Sequence, residues 1–189
     1  MLVTWIGKLK NRIFYFRWGE CNQRQSVTID DYIKGIKALK PDAIISLHNG
    51  DTPDGISNKK VKKITEFNHK CLTKTIEEFA KADMQIIAPV QGKYDMQWRK
   101  VESKYVHDSP VDGYFFEGFH SNGTSSLDCD VNEITEVLKE SVLSNIKHDK
   151  PRFMFGNFSP KVHMLCSSIS TLTEFITQFH YIFFSKSLP

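Results

Sequence analysis

Pro41 leads into Ala43, Ile44, Ile45, Ser46 and Leu47, an apolar run with Ser46 alone interrupting it. The chain then opens into a polar loop, His48, Asn49, Gly50 and Asp51. Short apolar runs bounded by turn residues read as strands buried on both faces, the kind found in parallel sheets. A helical pattern follows at once. Ser57 is placed to cap it, and Val61, Ile64, Phe67, Cys71, Leu72, Ile76 and Phe79 recur at helical spacing. A buried strand that feeds a helix needs a crossover connection to a parallel neighbour. In parallel barrels the loop between such a strand and its helix is where chemistry sits. This loop offers donors and acceptors for a polar ligand, but no obvious nucleophile and no cluster of metal ligands.

The alternation continues along the chain. Leu2 to Ile6 and Arg12 to Trp18 read as β segments joined by a basic turn from Lys8 to Asn11. Asp30 or Asp31 is expected to cap a helix with Tyr32, Ile33, Ile36 and Leu39 on one face, stopped by Pro41. Gln85 to Val90 and Val111 to Phe116 read as strands. Between them, Asp95 to Tyr105 suits a helix with Met96, Trp98 and Val101 as its apolar residues. Val131, Ile134, Val137, Leu138 and Val142 make a further helix face. Arg152 to Phe155 reads as a short strand, and Ser159-Pro160 as the start of a helix through Cys166. Four strand–helix alternations imply an α/β fold with a parallel sheet.

Composition bounds the rest. The 189 residues, 40% of them hydrophobic, suffice for one compact domain or most of a larger one. A net charge of +3 is too mild to mark a nucleic-acid binder by itself. The four cysteines, at positions 21, 71, 129 and 166, fit neither a zinc site nor a disulfide framework. Reduced thiols in a cytoplasmic protein are the expectation. His107, His120, His163 and His180 stand singly, and no metal role is assigned to them. The first residues lack a long apolar core, so a signal peptide is not expected, and no run reaches membrane-span length.

Several short motifs recur in order: Lys40-Pro41-Asp42, Gly50-Asp51-Thr52, Ser57 with Lys59, Lys60 and Lys63, Cys71-Leu72, Asp112 through Phe119, and Asp149-Lys150-Pro151-Arg152. Over residues 22 to 168 the chain resembles the queuine tRNA-ribosyltransferase family, and within it the non-catalytic accessory branch. The resemblance selects a TIM-type (β/α)8 barrel over an open sheet. Eight units in about 250 residues make a full barrel. Residues 1–168 therefore read as a partial TIM-barrel domain, truncated before the C-terminal strands and the zinc segment. Residues 169–189 read as a divergent apolar tail that includes Phe175, Ile176, Phe179, Tyr181, Ile182, Phe183 and Phe184.

The resemblance also implies which chemistry to look for. Family enzymes exchange guanine in tRNA for a queuine-type base. They use a carboxylate nucleophile at the ribose, an acid that reads the base, and glycines lying flat against it. The acid's position holds His48, and Asp51 lies three residues on. An imidazole cannot accept the two donor contacts that a carboxylate accepts. The first glycine of the family's Gly-Gly pair is Glu117, followed by Gly118. Gly92, in Gln91-Gly92-Lys93, stands where relatives have a Gly-Gly turn, and a simple turn is the plainer reading. No Asp follows Ser168 in the nucleophile's context. His48, Asp51, Gly92, Glu117 and Gly118 are thus expected to form a vestigial base pocket with no catalytic residue. No cofactor or metal is expected in this chain.

Lys59, Lys60 and Lys63 are possible tRNA phosphate contacts, although a solvated helix face is the simpler reading. Trp98 and Arg99 read as a packing residue and a surface ion-pair donor. The resemblance implies a heterodimer with a catalytic subunit, tRNA contact through that complex, and a location at the periphery of the mitochondrial outer membrane. An active transglycosylase of another branch and a truncated interaction fragment are the competing expectations.

Overall fold

The computed structural model describes residues 2–3, 8–10, 13–18, 23–50, 55–119, 130–147 and 149–154. Its elements are β1 (Leu2–Val3), β2 (Lys8–Lys10), β3 (Ile13–Trp18), β4 (Gln23–Val27), α1 (Ile29–Leu39), β5 (Ala43–Ile45) and α2 (Asn58–Phe79). They continue with β6 (Gln85–Val90), α3 (Met96–Asp108), β7 (Gly113–Phe116), α4 (Val131–Val137) and β8 (Arg152–Met154). One wide turn of π-helix, Leu138–Val142, and a short 3-10 turn, Leu143–Asn145, extend α4.

Five strands form one sheet in the order β1-β5-β6-β7-β8, and every neighbouring pair is parallel. Chain order and sheet order coincide from β5 to β8, as successive strand–helix units require. The α/β reading and the parallel sheet hold. The remaining strands form a separate antiparallel sheet, β2-β3-β4. The N-terminal expectation is corrected here. Lys8–Lys10 is itself a strand paired with β3, not the turn between two β segments, and Leu2–Val3 belongs to the parallel sheet.

The larger core lies between the parallel sheet and its helices. Ile44, Ile86, Ala88, Val90, Tyr114, Phe116 and Met154 face Tyr32, Ile36, Phe67, Cys71, Val106, Ile134 and Leu138. Burying each large apolar side chain contributes about 1.5–3 kcal/mol, so this layer dominates the fold's stability. A smaller cluster of Ile45, Ile87 and Phe115, with Phe153 against it, occupies the sheet's other face.

Local physics explains where the helices begin and end. Thr28, not Asp30 or Asp31, caps α1. Its hydroxyl oxygen accepts from the Asp31 N–H, and the Asp31 carboxylate accepts from the Thr28 N–H at 3.0 Å, a reciprocal capping box. Asp31 falls below its ordinary pKa because Thr28 hydrogen-bonds its carboxylate. Lys40 ends α1 in the left-handed conformation, φ 47°, immediately before Pro41. Ser57 precedes α2, but its side chain makes no capping bond. Asp95 caps α3 by accepting from the Trp98 N–H at 2.9 Å.

Two apolar assignments are also corrected. Leu39 and Val101 are exposed, at 51% and 54%. On α3 the buried stripe is instead Trp98, Arg99, Glu102, Ser103 and Val106. The expected helix from Ser159 and the tail from 169 lie outside the described residues.

Candidate functional site

The C-terminal ends of β5, β6 and β7 bring His48, Gln91 and Glu117 together. Side chains alternate between sheet faces with period two. Gln91 and Glu117 therefore continue the face of Ile87 and Phe115, and the His48 ring sits 6.1 Å from the Phe115 ring. All three polar residues are buried, each at 2% exposure or less. Buried polar groups are costly unless paired, and these three pair with one another. His48 Nδ1–H donates to the Ser46 carbonyl at 2.7 Å. His48 Nε2–H donates to the Glu117 carboxylate, which also accepts from Gln91 Nε2 at 3.1 Å.

Both ring nitrogens of His48 thus donate, which is the pattern of an imidazolium. Burial alone would hold that cation's pKa down. The Glu117 charge and hydrogen bond, the Ser46 carbonyl and the more distant Glu102 outweigh burial and raise it. The ion pair therefore contributes fully below the ordinary histidine value of about 6.5. It is lost as pH rises through the raised value. Urea midpoints of the full chain are expected to fall across that alkaline side. Glu117→Gln is expected to flatten the decline, and an unchanged slope in that variant would show that His48 is not its source.

Glycine at position 50 leaves room for the pair as it stands. A Cβ placed on Gly50 would lie 2.5 Å from Glu117 Oε1 and 2.8 Å from Oε2. The loop after β5 is pinned from the other side, where the Asn49 N–H donates to Asn68 Oδ1 of α2 at 3.0 Å.

Arg99 holds the frame around this network. It is completely buried. Its guanidinium donates to the carbonyls of Val90 at 2.9 Å, Lys93 at 2.6 Å and Glu117 at 2.7 Å, and stacks 3.8 Å above the Phe119 ring. Burial pushes its pKa down to about 9, against Glu102, Glu117 and Tyr94, so it stays charged at neutral pH. Gly92 adopts φ +132°, and a Cβ there would lie 2.7 Å from Arg99 Cγ. Gly92 therefore stands in a turn that needs glycine, and that turn is fitted around Arg99.

The structure thus joins two of the residues flagged from sequence, His48 and Glu117, in one ion pair. Gly118 takes φ +88° at the same strand end, with its missing Cβ directed 3.6 Å from the Lys93 nitrogen. Asp51 lies outside the described residues. Lys59, Lys60 and Lys63 are exposed on the first turns of α2. No acidic residue occupies that first turn. Gln91 and Arg99 were missed as site residues. Arg99 is no surface ion-pair donor. The only signal for it was the three- and four-residue spacing of Arg99, Glu102, Ser103 and Val106, which marks a helix stripe. Among the described residues no group of three His, Cys, Asp or Glu is placed to hold a metal ion. No described helix is long and apolar enough to cross a membrane.

Comparison with known proteins agrees with the resemblance. The family model described as queuine tRNA-ribosyltransferase matches residues 7–169. A protein of Aedes aegypti named queuine tRNA-ribosyltransferase accessory subunit 2 is 30% identical over 165 residues, covering 84% of this chain and 39% of the relative. Proteins of the same name from Drosophila sechellia and Ixodes scapularis are 29% and 28% identical, over 72% and 69% of the chain. The chain spans little more than a third of the length of these relatives, 33% to 39%. With the family model covering most of its length, this chain belongs to the queuine tRNA-ribosyltransferase family.

Proposed function

We propose that the chain serves as a non-catalytic accessory subunit of queuine tRNA-ribosyltransferase. In this role it supports a catalytic subunit that exchanges guanine for queuine at the tRNA wobble position. The buried His48–Glu117 pair carries the proposal. Base exchange needs an acid where this chain has His48, and here that imidazole is closed off by Glu117, which stands at the family's glycine. The relatives' shared name supports the same assignment.

Its architecture in this reading is a partial TIM barrel over residues 1–168 followed by an apolar tail. The five parallel strands are read as one arc of that barrel. The open edge of an incomplete barrel would favour association, which suits a heterodimer with the catalytic subunit. A cytoplasmic location, at the periphery of the mitochondrial outer membrane, completes the picture. The chain itself carries no cofactor in this reading.

Lys59, Lys60 and Lys63 are proposed to reach tRNA phosphates from the start of α2. None of the three is engaged by another described side chain, whereas Lys37 and Lys74 are held by Glu78 and Asp30. Reversing all three to Glu is expected to weaken tRNA binding by the complex. The salt dependence should fall by about 0.7–0.9 log units per lost contact. An unchanged salt slope would make these lysines a solvated face.

The deciding experiment is co-expression with the catalytic subunit. Co-purification, with guanine exchange by the pair and none by this chain alone, is the expected result. Turnover by the isolated chain would make it a transglycosylase of another branch. Failure to co-purify would make it an interaction fragment outside the complex.

A further inference from the structure

We propose that the ends of β5, β6 and β7 form a carboxylate-binding site whose resident ligand is the chain's own Glu117 side chain. The inference rests on the non-catalytic reading and deepens it, because a site already occupied from within is closed to outside ligands.

Three observations carry it. First, the donors converge. His48 Nε2–H and Gln91 Nε2–H both meet Glu117 Oε2, and His48 is fixed from behind by the Ser46 carbonyl. Charge-assisted donors aimed at one oxygen are how proteins recognise carboxylates. Second, the floor is shaped to the occupant. Gly50 passes so close beneath both carboxylate oxygens that any side chain there would collide with them. Third, the backbone of the frame is held by bonds other than those of the Glu117 carboxylate. The backbone at position 117 is held by Arg99 Nη2 on its carbonyl and by the Val90 carbonyl on its N–H. Removing the Glu117 side chain is therefore expected to keep these two backbone bonds and to empty a space lined by His48, Gln91 and Gly50.

The atoms removed by Glu117→Ala, one methylene and one carboxylate, correspond to acetate. The full chain carrying Glu117→Ala is expected to melt several degrees below the unaltered protein. Acetate should restore most of that loss in a saturable manner at mildly acidic pH, because the bound anion replaces the Glu117 charge that keeps His48 protonated. Chloride at matched ionic strength should not, and the unaltered protein should not respond. Adding His48→Gln to Glu117→Ala should abolish the rescue. No saturable acetate effect, or an equal chloride effect, would overturn the proposal.

If Glu117→Ala does not fold, Glu117→Gln keeps the shape and removes the charge. The His48 ring titration, followed by proton NMR, is then expected to move well below its value in the unaltered chain. An unmoved titration would likewise overturn the proposal. Neither measurement involves the catalytic subunit, so failure here leaves the accessory reading to be judged by co-purification and exchange.

Discussion

Arg99→Ala is expected to destabilise the protein by about 3–5 kcal/mol, the range for breaking a buried charge network by removing one partner. Three carbonyls, those of Val90, Lys93 and Glu117, would lose their donor at once. A buried carbonyl without a donor bears the cost of its desolvation. Glu102 and Glu117 would also lose a cation that now faces them. Domains have about 5–15 kcal/mol to lose in total, so much of the variant is expected to be unfolded near physiological temperature. Arg99→Lys should recover little, because an ammonium is a point charge and cannot span three separately placed carbonyls as the planar guanidinium does. Urea or guanidinium midpoints for the three proteins provide the measurement. A loss below about 0.5 kcal/mol, the range of ordinary surface substitutions, would mean that the strand ends do not depend on Arg99.

Local patterns carried most of the architecture. The strand at Gln85–Val90 and the long helix of residues 58–79 have periodicities that burial alone sets. The structure departs from those patterns where polar residues do the work of apolar ones. Hydrophobicity places Val101 in the core of α3, yet Arg99, Glu102 and Ser103 join Trp98 and Val106 in the stripe that is buried. Charged residues are so seldom fully buried that a single sequence gives little reason to place Arg99 inside. The cap of α1 was misread in a similar way. Asp31 reads from sequence as the cap and not as its third-residue partner, because Thr28 lies before the apolar pattern starts.

The candidate site was legible in its parts and not in its assembly. His48 and Glu117 each stood out as a departure from the pattern of family enzymes. Nothing local connects residues 69 positions apart. Only the parallel register, which aligns the ends of β5, β6 and β7, turns two separate losses into one ion pair. Gln91 was hidden for the same reason. Its role depends on which face of β6 it continues, and that is set by pairing with β7.

That pairing determines the second large effect. His48→Asp returns an acid to the position where the family's enzymes have one, yet guanine exchange is not expected to appear. The new carboxylate would face Glu117 in a buried site, where two like charges cannot both ionise cheaply and one takes up a proton. The expected loss of stability at neutral pH is about 3–5 kcal/mol, the range for a buried charge left without its partner. Such a carboxyl has a folded pKa raised above its unfolded value. Its protonated form supports the fold at low pH, and that support is lost as pH rises through the raised pKa. The variant should therefore regain stability on acidification. Glu117→Gly in the same background removes the opposing charge and should recover part of the loss. A double-mutant cycle over positions 48 and 117 is expected to give a coupling of about 0.5–3 kcal/mol. Additive losses would mean that the two side chains do not act as a pair, and exchange activity from His48→Asp alone would mean that the closed strand-end site is not what silences the chain.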